Sequence, residues 1–248
     1  MNIWKYFDIT HSDHTFMNPT TSEKLDEMVS LLDLKPGARV LDIGCGKAEP
    51  LMRIAERYAI FGVGVDASPF CIEDARENAL RRVKSPSEVS FVESDAAKYD
   101  VADASQDLVV CLGASWVFGG MQGTLATASR ILHPGGLVLI GEPHWIKEPD
   151  PEYLRMSGMT PDLFSSHAGN VSMGTEVGLV PIYAVLSTKE DFDRYEWLQF
   201  RAGERWARNN PDDPDVAEVL KRVRHGKEEY TRFGRDTLGW GMYLYLKE

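Results

Sequence analysis

Val40-Leu41-Asp42-Ile43-Gly44-Cys45-Gly46-Lys47-Ala48 decides how this chain is read. An apolar run delivers an acid, breaks at two glycines, and gives way to LMRIAERY (51–58), whose apolar residues have helical spacing. The stretch predicts strand, tight turn and helix. Glycines permit the turn and let a ligand approach the backbone, with a helix N-terminus beside it. That is the general form of a nucleotide-cofactor site. A dinucleotide site asks for Gly-x-Gly-x-x-Gly, but the third glycine position holds Glu49. A carboxylate there opposes a pyrophosphate. Asp42, two residues before Gly44, instead suits a ligand with a positive end, met directly or through water. Ala48 keeps the third position of the turn small.

Outward from this segment, short apolar runs alternate with amphipathic stretches. Strands are expected at 38–44, 59–66, 89–95, 107–115 and 136–143, with helices at 20–33, 51–58, 68–83 and 120–132. Ser68-Pro69 is a helix start signal and Pro134-Gly135-Gly136 a stop. Such alternation predicts an α/β fold with a parallel, doubly wound sheet. Acids recur at strand ends. Asp66 closes the second strand about 20 residues after the glycines, where an acid accepts from ribose hydroxyls. Asp95 closes the third, and Leu112-Gly113-Ala114 leaves the fourth. Prolines and glycines then break the regularity from 143 to 180, which reads as a lid or insertion. A strand at 182–188, helices at 189–209 and 212–235, and a final strand at 239–247 complete the chain.

Composition narrows the function. The 248 residues carry 43% hydrophobic residues, enough core to need no disulfide or metal staple. The net charge of −11 opposes broad binding to a phosphate backbone. Cys45, Cys71 and Cys111 share no CxxC spacing and leave one thiol over from any pairing, a reducing-compartment pattern. The N-terminus has no apolar signal region, and no run approaches the roughly 20 apolar residues that span a bilayer. A cytoplasmic protein is the expectation.

Four motifs in order resemble those of class I, Rossmann-like S-adenosylmethionine-dependent methyltransferases. VLDIGCGKA resembles their glycine-rich motif, GVDASP (64–69) the ribose-acid motif, ESDAA (93–97) the adenine motif, and LHPGGLVLIGEP (132–143) the fifth-strand motif. The resemblance covers about residues 36–143. It implies a seven-stranded, mostly parallel sheet with an antiparallel last strand and a helical cap. The cofactor it implies is S-adenosylmethionine, released as S-adenosylhomocysteine. Asp42, Gly44 and Gly46 then serve the methionine portion, Asp66 with Ala67 the ribose, and Asp95 with Ala96 the adenine, while Leu112 and Gly113 run beside the ligand. GEPHW and the two long helices before the last strand resemble the small-molecule branch. Gly113-Ala114-Ser115-Trp116 stands where DNA-adenine and glutamine N-methyltransferases carry Pro-Pro-Tyr.

Methyl transfer by in-line displacement needs alignment and sometimes a base. Glu142 and His144 follow the fifth strand and are the candidate catalytic pair. Trp116 is a candidate substrate wall, and His14, Phe16 and Asn18 candidate contacts from a segment that folds over the site. Tyr195 and Trp197 read as core residues of their helix. Glu142, His144 and His11 or His14 lack fixed ligand spacing, so no metal is expected. The acceptor is expected to be a small molecule, with a nucleic acid disfavoured by the charge; an RNA methyltransferase and a non-catalytic cofactor-binding protein are the alternatives. One domain is expected, its cofactor core at about 36–143 and 181–248 and its cap at about 1–34 and 143–180.

Overall fold

The computed structural model describes residues 1–248. Seven strands form one sheet: β1 (Ala38–Ile43), β2 (Ile60–Asp66), β3 (Glu88–Glu93), β4 (Gln106–Leu112), β5 (Leu132–Trp145), β6 (Leu179–Leu186) and β7 (Leu238–Lys247). Their order is β3-β2-β1-β4-β5-β7-β6. β7 runs antiparallel between β5 and β6, while the other pairs are parallel. The family-like sheet expected from the motifs is therefore present. The chain winds one way from β1 to β3 and the other way from β4. The carboxyl ends of β1 and β4 flank the crevice at that reversal, where α/β sheets bind ligands.

The strand sequences are unbroken apolar runs because both faces are covered. Leu108, Val110 and Leu112 point to one face, under α2 (Ser22–Ser30), α3 (Glu49–Arg57) and α4 (Pro69–Arg82). Val109 and Cys111 point to the other, under α5 (Met121–Ile131). Short helices α6 (Pro151–Ser157) and α7 (His167–Met173) fill the irregular stretch after β5. No helix is long and apolar enough to cross a membrane.

Several boundaries differ from the sequence reading; β6, for one, spans Leu179–Leu186 where 182–188 was expected. β5 starts at Leu132 and runs to Trp145, because β7 supplies a partner as far as Trp145↔Leu238. Residues 143–145 thus belong to the sheet and not to the lid. An unanticipated helix, α1 (Ile3–Thr10), opens the chain. It packs with α8 (Lys189–Asn209) and α9 (Val216–Glu229) around a separate apolar cluster that includes Ile9, Phe192, Phe200, Val219 and Val223. Ion pairs tie this layer together, Lys5 to Asp213 (3.0 Å) and Asp215 (2.7 Å), Arg205 to Asp13 (2.7 Å), and Lys24 to Asp191 (2.5 Å). The two long helices, read as part of the cofactor core, share this layer with α1.

Trp240 of β7 joins the layer to the sheet. Its ring lies over Gly141 and Gly113, and its Nε1 donates to Thr20 Oγ1 (3.1 Å). A Cβ at Gly141 would stand 2.5 Å from Trp240 Cζ2. Gly141→Ala is expected to lower the unfolding free energy by about 1–3 kcal/mol, from overpacking, in urea denaturation. An unchanged midpoint would remove this account of the seam.

Candidate active site

The turn after β1 is left-handed at three alternate positions, Gly44 (φ 63°), Gly46 (φ 53°) and Ala48 (φ 59°). A Cβ at Gly44 would collide with the Ala114 methyl at 2.2 Å, so the turn and the exit from β4 press directly together. Ala48 is fully buried, which explains the small side chain there. Glu49 begins α3 and is buried, held by Arg53 (2.7 Å) and by Arg82. The helix start is thus occupied by the protein's own carboxylate and its two arginines.

Asp42 lies just before this turn, 1% exposed, and its Oδ2 has no hydrogen-bond partner. Burial, with a smaller contribution from nearby Asp66, raises its pKa well above the carboxylate range. A buried carboxylate without a partner is costly, and a cationic donor relieves that cost. Asp42 faces a crevice shared with Gly44, Gly46, Asn18, Lys47 and Leu112.

Asp66 ends β2 and clamps two turns. Its Oδ2 accepts from the Gly46 N–H (2.9 Å) and its Oδ1 from the Ser68 N–H (2.8 Å). Burial raises its pKa against the pull of these bonds. Asp95 accepts from the Ala97 N–H (3.0 Å), which turns the chain after β3. Asp66, Ala67, Asp95, Ala96, Leu112, Gly113 and Trp116 line one cavity of about 540 Å³, with Gly44 and Gly46 at its edge. The nine residues expected along a cofactor therefore lie in two adjoining depressions at the switch point. Together they fit a ligand with a cationic donor at one end and hydroxyl and amine donors along its body.

The other wall comes from residues that strand and turn patterns do not reveal. Trp4, Phe7 and His11 of the first helix, Met17, and Tyr195 of α8 complete the cavity. Tyr195, read as core, is a wall residue because α8 lies over the strand ends and not on a sheet face. The spacing of Trp4, Phe7 and His11 is an aromatic stripe at helical period, a signal present in the sequence. His11 Nε2 lies 3.0 Å from the Tyr195 hydroxyl and His11 Nδ1 lies 3.0 Å from the Phe7 carbonyl.

Asn18 donates to the Leu112 carbonyl (3.2 Å) and lines the crevice together with Phe16. Trp116 is 67% exposed at the cavity mouth. His14 stands behind the wall, its Nε2 2.9 Å from the Tyr195 carbonyl oxygen. Glu142 and His144 lie on the α5 face of β5, outside both depressions, and Ser115 stands between the cavity-lining Ala114 and Trp116 beside Glu142. Glu142 Oε2 and His144 Nδ1 are buried without partners. Burial pushes Glu142 up to about 7, against a smaller pull from Ser115. Burial, helped by His167, pushes His144 down to about 4.

A Methyltransferase domain family model matches residues 34–192. The chain belongs to this family, the S-adenosylmethionine-dependent methyltransferases of Rossmann-like fold. It is 35% identical to an uncharacterised protein, YjhP, of Escherichia coli over 99% of both chains. It is 33% identical to a SAM-dependent methyltransferase of Geobacter sulfurreducens, solved in complex with S-adenosyl-L-homocysteine, at a TM-score of 0.88 and covering 98% of each chain. Over 51% of its length it is 30% identical to the 27-O-demethylrifamycin SV methyltransferase of Amycolatopsis mediterranei, of which it covers 46%.

The raised pKa of Glu142 sets a sign for stability. The folded protein keeps this proton up to about pH 7, while the unfolded chain releases it near 4.5. Stability from this group is full below 4.5 and is lost as pH rises through 7, by about 3 kcal/mol at most. Glu142→Gln is expected to stabilise the protein at pH 8 by roughly 1–3 kcal/mol and to change little at pH 4.5, read from urea melts at both values. Equal effects at the two pH values would contradict the burial assignment.

Proposed function

We propose that the protein transfers a methyl group from S-adenosylmethionine to a small-molecule acceptor. The observation that carries this reading is the buried, unpartnered Asp42 carboxylate at the glycine turn. In this reading Asp42 takes the α-ammonium, directly or through water, and Gly44 and Gly46 let the methionine portion lie on the backbone. Asp66 accepts from the ribose hydroxyls with lone pairs its two amide bonds leave free, beside Ala67. Asp95 accepts from the adenine amine beside Ala96, and Leu112 and Gly113 run along the ligand. When bound, S-adenosylmethionine supplies a sulfonium methyl that an acceptor lone pair displaces in line, the S–C electron pair staying on sulfur and the acceptor's proton leaving to base or water.

The chain's own work is alignment and exclusion of water. Trp4, Phe7 and Tyr195 cover the strand ends, and Asn18 ties the covering segment to Leu112. Glu142 and His144 are the candidate bases, although both lie outside the two depressions, Glu142 beside Ser115. Glu142 titrates near neutrality, whereas His144 stays neutral there. His14 contributes by holding the α8 backbone at Tyr195, and Trp116 by walling the mouth. A small acceptor agrees with the acidic chain and with the rifamycin-methylating relative.

Calorimetric titration with S-adenosylhomocysteine tests the reading. Saturable binding is expected, weakened about 5–150-fold by Asp66→Ala through loss of charge-assisted bonds of roughly 1–3 kcal/mol. Because Asp42 must be ionised to meet an ammonium and its pKa is raised, affinity is expected to rise with pH, and Asp42→Asn to flatten that rise. Absence of binding heat from folded protein at several temperatures would overturn the assignment.

A further inference from the structure

Four rings form a continuous row along the covering wall. Trp4 and Phe7 have centroids 6.3 Å apart, Phe7 and His11 5.9 Å, and His11 and Tyr195 5.7 Å. All four residues line the cavity. Successive rings are tilted by 46°, 64° and 50°, so the row presents both ring faces and ring edges, against which an aromatic occupant pairs edge-on or offset.

The row ends in the Tyr195 hydroxyl, which has two acceptors beside it, His11 Nε2 at 3.0 Å and the Met17 carbonyl at 3.4 Å. His11 Nδ1 lies 3.0 Å from the Phe7 carbonyl, an acceptor only, and 3.1 Å from Thr10 Oγ1, whose own hydrogen goes to the Tyr6 carbonyl (3.0 Å), so Nδ1 carries the hydrogen. Nε2 is then a bare acceptor, and it lies 3.0 Å from Tyr195 Oη. The phenolic proton goes to one of these two acceptors, His11 being the nearer. The other neighbour of that oxygen, the Met17 carbonyl at 3.4 Å, supplies no hydrogen either. What Tyr195 offers the cavity is a lone pair, and the group it can bind is a donor. Burial lowers His11 to about 3 and raises Tyr195, so the pair stays neutral through the ordinary pH range.

The cavity wall holds no lysine or arginine, and its two charges are the acids Asp66 and Asp95. Lys47, in the adjoining crevice, commits its ammonium to the His11 carbonyl (3.2 Å) and to Asp74 (3.3 Å). An anionic acceptor would meet no free cationic side chain.

We propose that the methyl acceptor is an uncharged aromatic compound bearing one O–H or N–H, which packs on the Trp4–Phe7–His11 row and donates to Tyr195 Oη. The proposal deepens the methyltransferase reading and rests on it. Tyr195 fixes the direction of the attacking atom's hydrogen and so of its lone pair. A phosphorylated or carboxylated acceptor would find no cationic side chain in the cavity wall to hold its anion.

The test uses the full chain saturated with S-adenosylhomocysteine, titrated calorimetrically with 4-ethylphenol, 4-ethylaniline, 4-ethylanisole and phosphoethanolamine. The anisole keeps the ring and lacks the donor. The phenol is expected to bind wild-type protein roughly 3–10-fold more tightly than the anisole, the worth of one hydrogen bond. Tyr195→Phe is expected to narrow that ratio to within about twofold, each protein being saturated at a concentration set by its own measured S-adenosylhomocysteine affinity. Equal binding of phenol and anisole to wild type, a ratio that survives Tyr195→Phe, tighter binding of phosphoethanolamine, or no binding of either ring donor would each overturn it. The wild-type comparison needs no variant to fold. Failure to bind S-adenosylhomocysteine in the loading step is a separate result and takes down the cofactor reading, with this proposal after it.

Discussion

A carboxylate buried with one oxygen unpartnered is the constraint on which this site depends. Asp42 ends the central strand, between β2 and β4, so solvent cannot reach it. Its neighbours supply no compensating cation, and its pKa rises accordingly. Folding tolerates this because the glycine turn and the buried arginine-held Glu49 close the rest of the β1–α3 junction well. Such an expense at a strand end is characteristic of functional sites, where a ligand completes what the fold leaves undone. Asp66 shows the contrasting case. It is equally a strand-end acid, but it accepts from two backbone N–H groups and shapes the turns on either side of the ligand path.

The site has two halves of different origin. Strand ends β1, β2 and β4 and the turns after them build one half, and their geometry follows from the sheet. The other half is brought in by α1, residues 11–20 and α8, which come from opposite ends of the chain. Charge pairs between Lys5 and Asp213, Arg205 and Asp13, and Lys24 and Asp191 hold that half in place. These pairs are partly exposed, so each is individually weak, and the layer relies on the Ile9–Phe192–Phe200 cluster for its stability. Trp240, wedged over Gly141 and Gly113, connects the layer to the sheet at the point where both halves meet.

The sheet half was legible in the sequence. Strand, turn and helix signals are local, and the acids Asp42, Asp66 and Asp95 are found by spacing from two glycines. The covering half was legible only in part: the N-terminal segment was expected to fold over the site, but its wall depends on contacts such as that of His11 with Tyr195, which no periodicity can report. Tyr195 sits in a helix whose pattern suits a core, and only the position of α8 over the strand ends makes it a wall residue. The Trp4-Phe7-His11 stripe could have been read as a helix face, but not what it faces. Strand lengths were misjudged for a related reason. β5 extends past Pro143 because β7 lies antiparallel beside it, and pairing partners are not written in the strand itself. Glu142 and His144 were read as following the fifth strand; they lie inside β5, and whether such residues face the ligand side depends on the parity set by the sheet.

The most direct measurement is a crystal structure of the protein with S-adenosylhomocysteine. The account predicts the α-ammonium within hydrogen-bonding distance of Asp42 Oδ2, or one water from it, with the ribose hydroxyls on Asp66 and the adenine at Asp95. A bound ligand that leaves Asp42 Oδ2 without a donor, or that seats its ribose away from Asp66, would contradict it.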